Sequence, residues 1–206
     1  MSNQIFEIKK ENIESLTKKD SVLRDLILKY GVLEIQMIPD LFMGLVYNIV
    51  FQQISYKAGY TIWSRMEKNF DFTPDCIINA GLEKIKKQGM SYRKAQYILN
   101  VAEYFLENET ELKKIEKYSD EAIIKELCKI KGIGNWTAEM VLIFTFGRQN
   151  VITFNDLAIK KGIKKLYGLD QIPSKEELVG YQELWSPNAT IALFYLWEMT
   201  KRNDLG

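Results

Sequence analysis

Residues 127–146 read LCKIKGIGNWTAEMVLIFTF, and this stretch decides the fold. An amphipathic helix ending near Cys128 runs into Lys131-Gly132-Ile133-Gly134, and a second helix begins at about Asn135 with Met140, Ile143 and Phe144 on its apolar face. Two glycines flanking one isoleucine permit a very tight turn, with backbone amides facing outward while Ile133 plugs it from inside. Amides exposed at a helix N-terminus form a ready site for phosphate. An ordinary helical corner is the plainer reading of GIG alone, but the flanks are basic. From Cys128 to Lys165 there are seven basic residues, Lys129, Lys131, Arg148, Lys160, Lys161, Lys164 and Lys165, against Glu139 and Asp156. The preceding stretch, residues 103–126, carries eight acidic residues against four lysines. The net charge of +1 therefore conceals a local asymmetry.

Working outward, the period is helical nearly everywhere, as in Leu41, Phe42, Leu45, Val46, Ile49 and Val50, or Ala95, Ile98, Leu99, Ala102, Phe105 and Leu106. No long stretch alternates like a strand. Helix starts are marked at Ser55, Thr73 with Pro74, Ser91, Ser119 and Ser186 with Pro187, and stops at Gly31, Gly89, Gly147 and Gly168. This predicts nine or ten short helices in an all-α body with a cleft between two lobes and no β domain.

Composition narrows the chemistry. The 206 residues include no histidine, which excludes Ser-His-Asp and Cys-His arrangements and histidine-bound zinc. Cys76 and Cys128 are the only cysteines, too few for a four-thiolate zinc or iron–sulfur site, and read as two small buried thiols in a reducing compartment. The N-terminus has no apolar signal core, and the longest nearly apolar stretches, residues 41–51 and 189–197, are too short for a bilayer. A cytoplasmic protein without membrane contact, associated with the nucleoid in a prokaryote, is expected.

KGIGNWTA (131–138) resembles the helix-hairpin-helix of the base-excision DNA glycosylases, and VITFNDLAIKKG follows with Asp156 where that family has its catalytic aspartate. IVFQQISYKAGYTIWSRM (49–66), GMSYRKAQYILNVAEYF (89–105) and WSPNATIALFYLW (185–197) extend the likeness over most of the chain from about residue 40. Among the branches the sequence is most similar to 3-methyladenine DNA glycosylase II. The resemblance implies a two-lobed fold: an N-terminal helical segment, 1–38, packing with the C-terminal lobe; a central lobe, 39–150, ending in the hairpin 127–146; and C-terminal helices, 151–206, completing the second lobe.

It also implies roles. Asn155 or Asp156 caps the helix LAIKKGIKKLYG, which by itself needs no catalytic explanation. The resemblance makes Asp156 the electrostatic and water-positioning residue for glycosidic cleavage, a carboxylate favoured by the helix dipole. Lys131, Gly132, Ile133, Gly134, Asn135 and Thr137 would bind the DNA backbone. Trp136 stands where glycosylases that also cleave the backbone carry a Schiff-base lysine, so the enzyme implied is monofunctional. Trp136, Met140 and Trp197 would line or support the base pocket, where an indole face stabilises a buried cationic purine by about 2 kcal/mol. Tyr195 and Trp185 read as core. Gln53, with Gln52 as its polar neighbour, falls at the wedge position that fills the gap left by an extruded base. A rim residue capping a backbone group is the alternative for Gln53. Main-chain carbonyls of Cys128, Ile130 and Ile133 correspond to those that hold a structural monovalent cation in relatives; no cofactor for chemistry and no iron–sulfur cluster are expected.

The function implied is a monomeric, monofunctional glycosylase that removes alkylated purines from damaged double-stranded DNA by hydrolysis. The alternatives are a glycosylase for deaminated or oxidised bases, and a non-catalytic DNA-binding module.

Overall fold

The computed structural model describes residues 4–202, which contain twelve α-helices, one short 3₁₀ turn and a single isolated bridge between Ile5 and Gln36. The chain divides into two compact units, one formed by Ile38–Phe146 and the other by described residues 4–37 and 147–202.

The first unit is organised on α3 (Leu41–Phe51), whose apolar surface leaves Phe42, Leu45, Val46, Ile49 and Val50 buried. It packs against α6 (Tyr92–Glu107) and α9 (Asn135–Phe144), while α4 (Tyr56–Asn69) lies beside α3, α5 (Pro74–Lys86) pairs with α6, and α8 (Asp120–Leu127) meets α9. The short α7 (Glu109–Leu112) and the 3₁₀ turn Ile115–Lys117 link α6 to α8. Two glycines set the approach of helices to α3. A Cβ on Gly44 would sit 2.4 Å from the Thr145 hydroxyl, and one on Gly59 would sit 2.5 Å from the Phe51 ring. Ser55, Thr73, Ser91 and Ser119 each accept a backbone amide at the start of α4, α5, α6 and α8, as their sequence positions predict.

The second unit joins α1 (Lys10–Lys19) and α2 (Ser21–Tyr30) to α10 (Leu157–Leu166), α11 (Lys175–Trp185) and α12 (Ala189–Lys201). Every residue of α12 from Ala189 to Leu196 is buried, so this helix is the axis of the unit. Asp20 ties it together: one oxygen accepts the amides of Val22 and Leu23 as the cap of α2, and the other accepts Trp185 Nε1 at 2.9 Å and the Tyr167 hydroxyl. Burial and that carboxylate push the Tyr167 phenol far above its ordinary range. Trp185 and Tyr195 are core residues, at 0% and 1% exposure, with the Tyr195 hydroxyl donating to the Gly31 carbonyl.

Three local expectations change. The helix count is twelve among the described residues, above nine or ten, and one of the additional helices is residues 109–112, four residues long and too short to show a period. Ser186 does not start a helix; it closes α11, and α12 begins at Ala189 after Asn188, whose side chain makes no capping bond. Cys76 and Cys128 are half-buried free thiols, not buried ones. Burial, with the Glu139 charge, pushes the Cys128 thiol up, which makes it a poor nucleophile.

Candidate functional site

Within the first unit, α8 ends at Leu127 and α9 starts at Asn135, with Gly134 as its N-cap, so the hairpin has the predicted limits. Gly132 has φ 110°, and a Cβ there would lie 2.2 Å from the Tyr97 ring, so both backbone and space demand glycine. Gly134 has open space where a Cβ would be. Ile133 is buried, plugging the turn, and its amide donates to the Ile130 carbonyl at 3.0 Å. Lys131, Gly134 and Asn135 are exposed, which leaves the N-terminus of α9 open to an anion.

Side chains from elsewhere brace this turn. Asn100 Nδ2 donates to the Lys131 carbonyl at 2.9 Å, and Gln52 Nε2 donates to the Gly132 carbonyl at 3.2 Å and to Thr137 Oγ1 at 3.0 Å. Thr137 is therefore a buried acceptor at 2% exposure, and its hydroxyl is not available to DNA. The exposed Lys129 ammonium pairs with Glu126 at 2.5 Å. The Lys129 and Tyr104 hydrogen bonds hold the Glu126 carboxyl below its usual range, while burial and that same carboxylate push the Tyr104 phenol up to about 12. Asn135 Oδ1 accepts from Cys128 Sγ at 3.3 Å. Among the described residues no hydrogen bond engages the carbonyls of Cys128 and Ile133, which with Ile130 are the oxygens a cation would need. Three neutral carbonyls suit a weakly demanding monovalent ion better than zinc, and no group of three His, Cys, Asp or Glu side chains occurs among the described residues.

The Gln52–Gln53 pair divides. α3 stops at Phe51, so Gln53 does not continue the Val46, Ile49, Val50 face; it is exposed, with φ 53°. Gln52 is turned onto the hairpin, so its amide is not a wedge. Trp136 is half-buried, and Met140 is buried at 4% exposure. α9 is covered on all sides from Thr137 to Ile143, so its buried surface is wider than the face read from Met140, Ile143 and Phe144.

Within the second unit Asp156, not Asn155, caps α10. Its Oδ1 accepts the Ile159 amide at 3.0 Å and its Oδ2 accepts Trp197 Nε1 at 3.3 Å, leaving the residue 8% exposed. Trp197 is half-buried. The helix that Asp156 caps carries Lys160, Lys161, Lys164 and Lys165, three of which line a shallow groove of about 420 Å³ with Gly168 and Leu169. The Asp156 side chain at this helix start is fixed in place, one oxygen held by an amide and the other by an indole.

Residues 46–187 match the HhH-GPD superfamily of base excision DNA repair proteins. The chain belongs to this family. Over 165 residues, 78% of this chain and 72% of the relative, it is 34% identical to DNA-3-methyladenine glycosylase 1 of Schizosaccharomyces pombe. It is also 34% identical to the alkylbase DNA glycosidase-like protein mag2 of that yeast, over 79% of each chain. In structure it superposes with TM-score 0.84, at 28% identity and over 93% of this chain and 97% of the other, on the S. pombe 3-methyladenine DNA glycosylase solved with abasic DNA. The segment matched to the HhH-GPD family contains Gln53, the hairpin and Asp156 but ends at Pro187. Trp197 lies beyond it, 41 residues from the carboxylate it touches. That pairing, and the ties of Gln52 and Asn100 to the hairpin, escaped the sequence reading. Gln52 follows the apolar run that ends at Phe51, and its polarity is the one signal that could have pointed to its tie; Asn100 stands among other polar residues of α6 and carries no such signal. No helix among the described residues is long and apolar enough to cross a membrane.

Proposed function

We propose that this chain is a monofunctional DNA glycosylase that acts as a monomer on damaged double-stranded DNA and hydrolyses the N-glycosidic bond of alkylated purines, of the 3-methyladenine and 7-methylguanine type. The observation that carries this reading is the Asp156 carboxylate, buried and held at both oxygens, in a chain of a base excision repair family. The names of the relatives, DNA-3-methyladenine glycosylase among them, support the lesion class.

When the glycosidic bond breaks, its electron pair goes to the departing purine, whose positive charge is thereby cancelled, and the deoxyribose C1′ becomes electron-poor. A fixed carboxylate beside that carbon lowers the barrier because it is in place before charge develops. Water then adds to C1′, its proton passes to Asp156 or to solvent, and an abasic site remains. A leaving group that arrives charged needs no general acid, in keeping with a chain that has no histidine. The outward amides at the start of α9, with Lys131 and Asn135 beside them, would grip a backbone phosphate. Gln53 would fill the space left by the extruded base, with Trp136, Met140 and Trp197 lining or supporting the base site. A monovalent cation on the carbonyls of Cys128, Ile130 and Ile133 would add positive charge at that phosphate.

The test is incubation with methylated duplex DNA and chromatography of the released bases, beside duplexes containing uracil or 8-oxoguanine. Release of 3-methyladenine and 7-methylguanine alone is expected. Release only from the other two would reassign the lesion, and binding without any release would reduce the chain to a DNA-binding module. Because an indole, Trp136, stands after the hairpin, borohydride treatment should trap no covalent protein–DNA adduct.

A further inference from the structure

We infer that Gln52 is a positioning residue that couples the phosphate-gripping hairpin to Gln53, so that backbone binding and base extrusion occur as one event; this rests on the glycosylase reading above. The turn between α3 and α4 carries an unusual backbone. Gln53 has φ 53°, and it is the only non-glycine residue with positive φ among the described residues. An L side chain in this region costs on the order of 1 kcal/mol, and such strain persists only where the surroundings impose it. Gln53 is exposed, so it gains no packing in return.

Contacts on both sides of Gln53 impose it. Lys94 Nζ donates to the Val50 carbonyl at 2.8 Å and holds the last turn of α3. The Phe51 ring presses on Gly59 of α4, where no side chain fits. Between them Gln52 reaches across 80 residues of sequence to the Gly132 carbonyl and across 85 to Thr137 Oγ1. A primary amide has two N–H donors, and both have an acceptor here. Those acceptors belong to the tight turn and to the first turn of α9, the segment whose amides would take the phosphate. The residue before Gln53 is thus bonded to both halves of the phosphate site, and Gln53 stands at a fixed offset from whatever phosphate the hairpin holds.

The experiment uses the full chain and a duplex with 2-aminopurine beside a tetrahydrofuran abasic analogue, whose fluorescence rises on unstacking. Affinity for unmodified duplex is read separately by anisotropy at one salt concentration. Gln52→Met keeps the length and removes both donors; Gln52→Glu keeps the shape and turns a donor towards a carbonyl into an acceptor. Both should lower the fluorescence amplitude, and kcat on methylated DNA, about tenfold, as expected for losing up to two net hydrogen bonds. Affinity for unmodified duplex and KM should stay within about twofold, since phosphate contacts dominate them. Thr137→Val, which removes one acceptor at similar volume, should lower the amplitude about threefold. It also decides the matter if the Gln52 variants lose the fold. Amplitudes equal to wild type in the folded variants would overturn the inference, and so would a parallel fall of amplitude and duplex affinity, which would make Gln52 a brace of the hairpin alone. Wild-type protein that neither binds duplex nor releases a base would instead sink the glycosylase reading and the inference with it.

Discussion

At the scale of single residues, two hydrogen bonds to Asp156 have different origins. The amide of Ile159 is three residues away and belongs to ordinary helix capping; the indole of Trp197 comes from another helix. Asp156→Asn keeps the shape and the cap while removing the charge, and should lower the rate of excision by about 10²–10³. Trp197→Phe keeps an aromatic ring but removes the Nε1 donor. The carboxylate then loses the Trp197 hydrogen bond, and single-turnover excision should slow about tenfold, the effect of one hydrogen bond to a charged group, with affinity for unmodified duplex unchanged. If Trp197 served only as an aromatic wall for the base, the phenylalanine variant would keep nearly the full rate. The capping aspartate was legible in the sequence because a cap is a pattern over four residues. The Trp197 contact was not, because the indole nitrogen of a half-buried tryptophan has no partner that spacing can name.

At the scale of elements, the hairpin separates two glycines that look alike in GIG. Gly132→Ala forces an L side chain to φ 110° and into the Tyr97 ring, so it should lower Tm by at least 5 °C, as about 2 kcal/mol or more of strain and clash requires. Gly134→Ala meets no atom within 4 Å. Its Tm should fall by no more than about 2 °C, since alanine is a weaker cap than glycine by only part of a kcal/mol, while duplex affinity falls about tenfold if a phosphate must approach that backbone. Equal duplex affinity in that variant would move the phosphate away from Gly134. The base of the hairpin also predicts a pH dependence. The folded-state pKa of Glu126 lies below the unfolded one, because Lys129 and Tyr104 donate to it. Its stabilising effect is therefore present above the ordinary carboxylate range, about pH 4.3, and is lost as pH falls through the lowered folded value. Glu126→Gln should lower Tm by about 1–3 °C at pH 7 and by progressively less as the pH is taken to 3.

At the scale of the molecule, the second unit is assembled from both ends of the described chain, and Asp20 is its joint. Removing that carboxylate leaves two backbone amides, an indole N–H and a half-buried phenol without their acceptor. Asp20→Ala should cost about 3 kcal/mol or more, roughly 6–12 °C in Tm by scanning calorimetry, although Asp20 lies outside the segment matched to the HhH-GPD family. Nothing in the sequence around Asp20 distinguishes it from any other helix cap, since its partners Tyr167 and Trp185 lie 147 and 165 residues away. The same division runs through the whole protein. By itself the sequence determined the helical class, the starts of α4, α5, α6, α8 and α9, the limits of the hairpin and the aspartate that caps α10, because each is set by contacts within a few residues, by 3.6-residue periodicity or by the special backbone of glycine. Only the tertiary structure decided that Gln52 faces the hairpin and not solvent, that Thr137 is buried, that Lys129 pairs with Glu126, and that Trp197 donates to Asp156. Which way a polar side chain turns depends on what lies across the packing interface, and residues far apart in sequence supply that.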